Sequence, residues 1–142
     1  MKKKRLEADI NFDFTIIGLV CPLKEYKLAW YLNNKLDIKL NKEKDIEIEF
    51  VKDQNLLISN YFYETEHSYY RVLKNRSVSE YDDKPAFLLP ELNRFDYLIL
   101  ASGYEDTYPI RTLKGILANI PKVQYVQSFP SDSLKSKENL IF

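Results

Sequence analysis

The sequence predicts an α+β fold: a mixed, mostly antiparallel sheet built in the order β-α-β-β-β-β-α-β, with two helices packed on one face. Three observations predict it. Apolar and polar residues alternate with period two near residues 10–16 and 45–51, the signature of strands half exposed to solvent. Apolar residues recur at three and four positions around Leu28 and again around Leu113, as on the core-facing stripe of a helix. Residues 95–101 form a nearly continuous apolar run, as in a strand buried on both faces.

In chain order, Ile10, Phe12, Phe14 and Ile16 alternate with Asn11, Asp13 and Thr15, and Ile17, Leu19 and Val20 carry the strand into the core. Pro22 stops it. Residues 24–36 lack glycine and proline and space Leu28, Leu32 and Leu36 by four, which predicts a helix. Residues 45–51, 55–63 and 68–74 are strand-like and separated by short polar breaks, which predicts a three-stranded antiparallel meander. The most polar interval, residues 75–84, reads as a mobile loop. After the apolar run, Gly103 breaks the strand. Pro109 suits a first helical turn, and Ile110, Leu113, Leu117 and Ile120 mark the second helix. Pro121 ends it, and residues 123–129 form the last strand, parallel to strand 95–101 as its neighbour or one strand removed.

The 142 residues suit one domain over 1–142, with a basic, flexible amino terminus at 1–9 and a carboxyl-terminal segment at 131–142. Basic and acidic residues balance at 21 each, so no overall field draws the chain to nucleic acid or anionic lipid. One cysteine and one histidine supply neither an internal disulfide nor a metal set, and no cofactor is implied. No apolar run reaches the ~18 residues of a membrane span. Lys2 to Arg5 precede Leu6-Glu7-Ala8-Asp9 rather than an apolar signal core, so the expected location is the cytoplasm and no membrane partner is expected.

The stretch Leu89-Pro90-Glu91-Leu92-Asn93-Arg94-Phe95-Asp96-Tyr97 joins a turn signal to the buried strand and carries two carboxylates. It resembles the signature of the IPExxxVDY family, with Leu89 and Phe95 in place of isoleucine and valine. Asp13-Phe14, Ile17-Gly18, Tyr26 to Trp30 and Asn33 resemble that family's amino-terminal half, and Leu134 to Phe142 its carboxyl terminus. The resemblance implies a bacterial, cytoplasmic, single-domain protein and carries over no catalytic residue. Read from the residues, Glu91 and Asp96 are either an acid and base pair or structural acceptors; Pro90 and Asp96 at a strand entrance favour structure.

Cys21 lies at the end of the first strand, and pairing with His67 is disfavoured because His67 falls in a distant hairpin turn. The loop from Ser102 to Thr107 is acidic, which suits helix capping by Asp106 or Thr107 rather than phosphate binding. Tyr61, Tyr63, Tyr69 and Arg71 sit on one predicted hairpin; they are the candidate RNA contacts, against a competing reading as sheet packing. Leu23, Tyr26 and Trp30 lie on the side of the first helix away from Leu28, and Leu140-Ile141-Phe142 form an apolar tip expected to dock. These are the interface candidates for a protein partner, including a second copy in a homodimer. Aromatics thus outnumber catalytic residue types, and the favoured function is a non-enzymatic protein-interaction or regulatory module. An RNA-associated protein is the alternative, and a small hydrolase or transferase using Cys21, Glu91 or Asp96 the third reading.

Overall fold

A computed structural model describes residues 14–49, 55–78, 85–103, 109–130 and 133–140. The chain forms β1 (Thr15–Val20), α1 (Glu25–Leu36), β2 (Asn41–Glu49), β3 (Asn55–Glu64), β4 (Tyr69–Lys74), β5 (Tyr97–Ser102), α2 (Ile110–Ala118) and β6 (Tyr125–Phe129). Short 3-10 turns occupy Pro90–Leu92 and Lys137–Leu140. The strands make one six-stranded sheet in spatial order β2-β3-β4-β5-β1-β6, an α+β architecture. Every pairing in it is antiparallel, which corrects the expectation of a mixed sheet. The reason is the place of β1. It lies between β5 and β6 and opposes both, so the crossover through α2 skips one strand and the two strands it joins never pair.

Side chains alternate across the sheet and build two cores. On one face Ile17, Leu19, Tyr70, Val72, Tyr97, Ile99 and Ala101 cluster with Leu28, Ala29, Leu32 and Leu36 of α1 and Leu113 and Leu117 of α2. On the other, Ile16, Leu56, Ile58, Leu73, Leu98 and Leu100 cluster with Leu88, Leu89, Leu92 and Phe95, and with Leu134 and Leu140 from the carboxyl-terminal segment. Among the described residues the second face is therefore roofed by irregular chain and short 3-10 turns rather than by α-helix. Gly18 shows how tightly: a Cβ there would lie 2.7 Å from Phe95 Cδ1, so only glycine lets the ring rest on β1.

Boundaries depart from expectation where charge hides a strand. β2 begins at Asn41 rather than 45 because Lys42 to Asp45 are exposed at the sheet edge and show no apolar alternation. Residues 10–13 of the first predicted strand lie outside the described residues. So do the expected caps Asp106 and Thr107; α2 starts after Pro109 without a side-chain cap. The polar interval 75–84 is not loop throughout: Asn75 is fully buried and Ser77 nearly so, and Arg76 bridges to Phe87.

Candidate functional site

The Leu89–Tyr97 stretch works as a clasp on the sheet's second face. Leu89 and Phe95 enter that core, Pro90 opens the 3-10 turn, and Tyr97 starts β5 on the helix side, where its hydroxyl donates to the Leu23 carbonyl. Burial, then nearby Glu25, Cys21, Asp96 and Tyr61, raises the Tyr97 phenol well above its ordinary pKa, so it remains a donor. Asp96 prolongs the pairing of β1 with β5. Its N–H donates to the Leu19 carbonyl at 2.8 Å, and its Oδ2 accepts the Cys21 N–H at 2.7 Å. Glu91 reaches the other way: its Oε2 accepts the Ser136 N–H at 2.7 Å, while Asn139 Nδ2 donates to the Leu88 carbonyl at 2.8 Å. Burial pushes the Glu91 carboxyl up, but the hydrogen bonds from Ser136, Glu91 itself and Lys135 outweigh it and leave its pKa lowered. The two carboxylates serve different chain segments, Asp96 holding Cys21 and Glu91 holding Ser136.

Asn75, which the sequence did not single out, is the hub of this clasp. Its Nδ2 donates to the carbonyls of Leu92 at 2.9 Å and Phe95 at 3.2 Å, and its Oδ1 accepts the Leu89 N–H at 2.9 Å. Its backbone accepts from Leu88 at 2.6 Å and donates to Asp96 at 3.0 Å. One buried amide side chain thus fixes both ends of the turn, so the motif's backbone groups find partners without water.

Polar side chains beside α1 are hydrogen-bonded to one another as well. Lys42 Nζ donates to Ser59 Oγ at 2.8 Å, and Ser59 donates to Glu25 Oε1 at 2.9 Å. Cys21 is buried, and that burial raises its thiol pKa, the reverse of an activated nucleophile. It and His67 lie toward opposite ends of β5, since Leu19 pairs with Tyr97 and Tyr69 with Ser102. Among the described residues no group of His, Cys, Asp and Glu is arranged to hold a metal ion, and no helix is long and apolar enough to cross a membrane.

The tyrosine hairpin does not present one aromatic face. Tyr61 opposes Val72 and Tyr63 opposes Tyr70, whereas Phe62 opposes Arg71 and Glu64 opposes Tyr69. Directly opposed residues share a face. Tyr61 and Tyr63 therefore pack toward the helix-side core, and Tyr69 and Arg71 lie on the other side. Arg71 is engaged there, donating to Asn60 Oδ1 at 2.7 Å with its guanidinium 4.1 Å from the Phe62 ring centroid. The expected RNA face is split by strand alternation.

Among the described residues two exposed surfaces carry clustered aromatic or apolar groups. On α1, Tyr26 and Trp30 are 63% and 57% exposed. Leu23, expected beside them, precedes the helix and is partly buried against the helix-side core instead. Of the apolar tip, Leu140 docks into the second core, while Ile141 and Phe142 lie outside the described residues. The other surface is an open groove of about 660 Å³ between α2 and β6, lined by residues that include Ile110, Arg111, Lys114, Gly115, Tyr125 and Val126. Sequence reading missed it because neither element shows that they meet at a sheet edge; the only sign was the uncharged run from Tyr125 to Phe129. Comparison with protein-family models, curated proteins and solved structures finds no match to this chain.

Proposed function

We propose that this protein is a non-enzymatic interaction module that binds another protein, using the exposed side of α1 and the groove at the β6 edge. One observation carries the reading: Tyr26 and Trp30, a helical turn apart, face solvent on a helix whose other side is in the core. Covering two such aromatics removes on the order of 200 Å² of apolar surface from water, or about 5 kcal/mol at ~25 cal/mol per Å² before the costs of association. The structural engagement of Glu91, Asp96 and Cys21 supports a binding role over a hydrolase or transferase. The split tyrosine face removes the main support for RNA. Within this proposal the chain is a cytoplasmic bacterial protein of the IPExxxVDY family, a membership that rests on Leu89–Tyr97 and the flanking resemblances.

The test places a photoreactive benzophenone amino acid at Trp30 and irradiates living cells of the source organism. A discrete covalent adduct, absent when the same probe replaces exposed Lys35, is the expected result. Its mass tells a second copy from a different protein. A folded, labelled protein that gives no adduct above the Lys35 control would overturn the reading.

A further inference from the structure

The two edges of the sheet are treated unequally. In β2, Lys42, Glu43, Lys44, Asp45, Glu47 and Glu49 are charged, and a register shift interrupts its pairing with β3 between Glu43 and Ile46. Charges and bulges of this kind keep foreign strands from adding to an edge. β6 has neither: Tyr125-Val126-Gln127-Ser128-Phe129 carries no charge or proline, and its register with β1 is unbroken. Among the described strands β6 pairs with β1 alone, so alternate backbone N–H and C=O groups along it face outward, ready for another strand. Beside that edge runs the groove. Its lining contains Arg111 and Lys114 and no carboxylate.

Resting on the interaction-module reading, we propose that β6 accepts an extended acidic segment of a partner protein as an added strand, seated between β6 and α2. The added strand lies about 4.8 Å from β6, and its side chains alternate between α2 and solvent. Carboxylates on the residues facing α2 meet Arg111 and Lys114 beside Ile110 and Val126, while the intervening residues lie on the opposite face, beside the half-exposed Tyr125 that packs on Phe95. Gly115 leaves the floor open, for a Cβ there would meet nothing within 4 Å. A second copy presenting the same edge fits less well, because a two-fold contact sets Arg111 and Lys114 near their own mates.

The probe is a short capped peptide of alternating glutamate and threonine, titrated into the isotope-labelled full chain, with lysine and serine counterparts as controls. The expected result is amide shifts along β6 and α2 and affinity that weakens with salt. The lysine peptide should bind at least about tenfold more weakly, as charge complementarity requires. Gly115→Leu fills the groove in space the structure leaves empty and should abolish the shifts. The Arg111→Glu/Lys114→Glu pair should transfer the preference to the lysine peptide. Equal binding of all peptides at β6 would overturn the acidic specificity and leave the interaction module standing. Shifts confined to β2 or α1, no shifts at all, or a dimer that Gly115→Leu dissociates would overturn the inference itself. The Trp30 adduct is read independently of every one of these outcomes.

Discussion

Replacing Asn75 by alanine tests whether the clasp on the second face is held by one buried side chain. Asn75 has no exposed surface and satisfies three backbone groups, those of Leu89, Leu92 and Phe95. Alanine leaves all three buried and unpaired, at about 1–3 kcal/mol each where no water enters. The 3.2 Å contact to Phe95 is the longest and contributes least, and the turn can relax somewhat, so the expected loss is about 3–5 kcal/mol. Total stability for a domain of this size is about 5–15 kcal/mol. The urea midpoint should accordingly fall by roughly 1.5–2.5 M for a slope of about 2 kcal/mol per M, and Tm by about 10 °C. Asn75→Asp sharpens the test. It keeps an acceptor for Leu89 but turns a carboxylate on the carbonyls of Leu92 and Phe95, so it should cost at least as much as alanine near neutral pH. Its deficit should shrink in acid, where a protonated carboxyl can donate again. A loss below about 1 kcal/mol for Asn75→Ala in two-state urea unfolding would refute the reasoning.

Gly18→Ala should cost about 1–3 kcal/mol by overpacking against the Phe95 ring. Phe95→Leu in the same chain should recover part of that, and strictly additive effects in a double-mutant cycle would count against the contact. Because hydrogen bonds hold the Glu91 pKa below its ordinary value, its stabilising contribution is full above the ordinary glutamate pKa of about 4.3 and is lost as pH falls through the lower folded value. The Ser136 amide resonance should therefore titrate below the ordinary glutamate pKa in the native chain and lose that titration in Glu91→Gln; identical profiles would show that the bond is not maintained in solution. Leu140→Ala, at a site 4% exposed in the second core, should cost about 2–3 kcal/mol, and an unchanged Tm would mean that the carboxyl-terminal segment does not dock.

The elements could be read in the sequence because their signals are local. Leu28, Leu32 and Leu36 mark the buried stripe of α1, and the apolar run before Gly103 marks a central strand. The Asp96 contact was also foreseeable, since a short carboxylate at a strand entrance has backbone donors near it. What escaped was long-range. Asn75 lies in the most polar interval of the chain and reads as solvent-facing until Leu89 and Phe95 are brought against it from 14 and 20 residues away. Tyr61 and Tyr69 look like one aromatic face until the hairpin register sends them to opposite sides. The α2–β6 groove could not be anticipated, because edge status depends on β1 inserting between β5 and β6, which no local pattern encodes.

The placement of polar groups explains why binding is sought away from the conspicuous motif. Among the described residues no α-helix covers the second face of the sheet and an irregular segment does so, and irregular chain brings backbone donors and acceptors that need partners once buried. Asn75, Asp96 and Glu91 supply them at Leu89, Leu92, Phe95, Cys21 and Ser136. A carboxylate already accepting a backbone N–H at 2.7 Å gives up that bond if it turns to a ligand, and the cost falls on the fold as well as on the site. The β6 edge and the α1 aromatics carry no such duty. Tyr26, Trp30 and Tyr125 are exposed and can be covered by a partner without dismantling anything, which is the physical asymmetry that assigns structure to Leu89–Tyr97 and recognition to the surfaces around Trp30 and Tyr125.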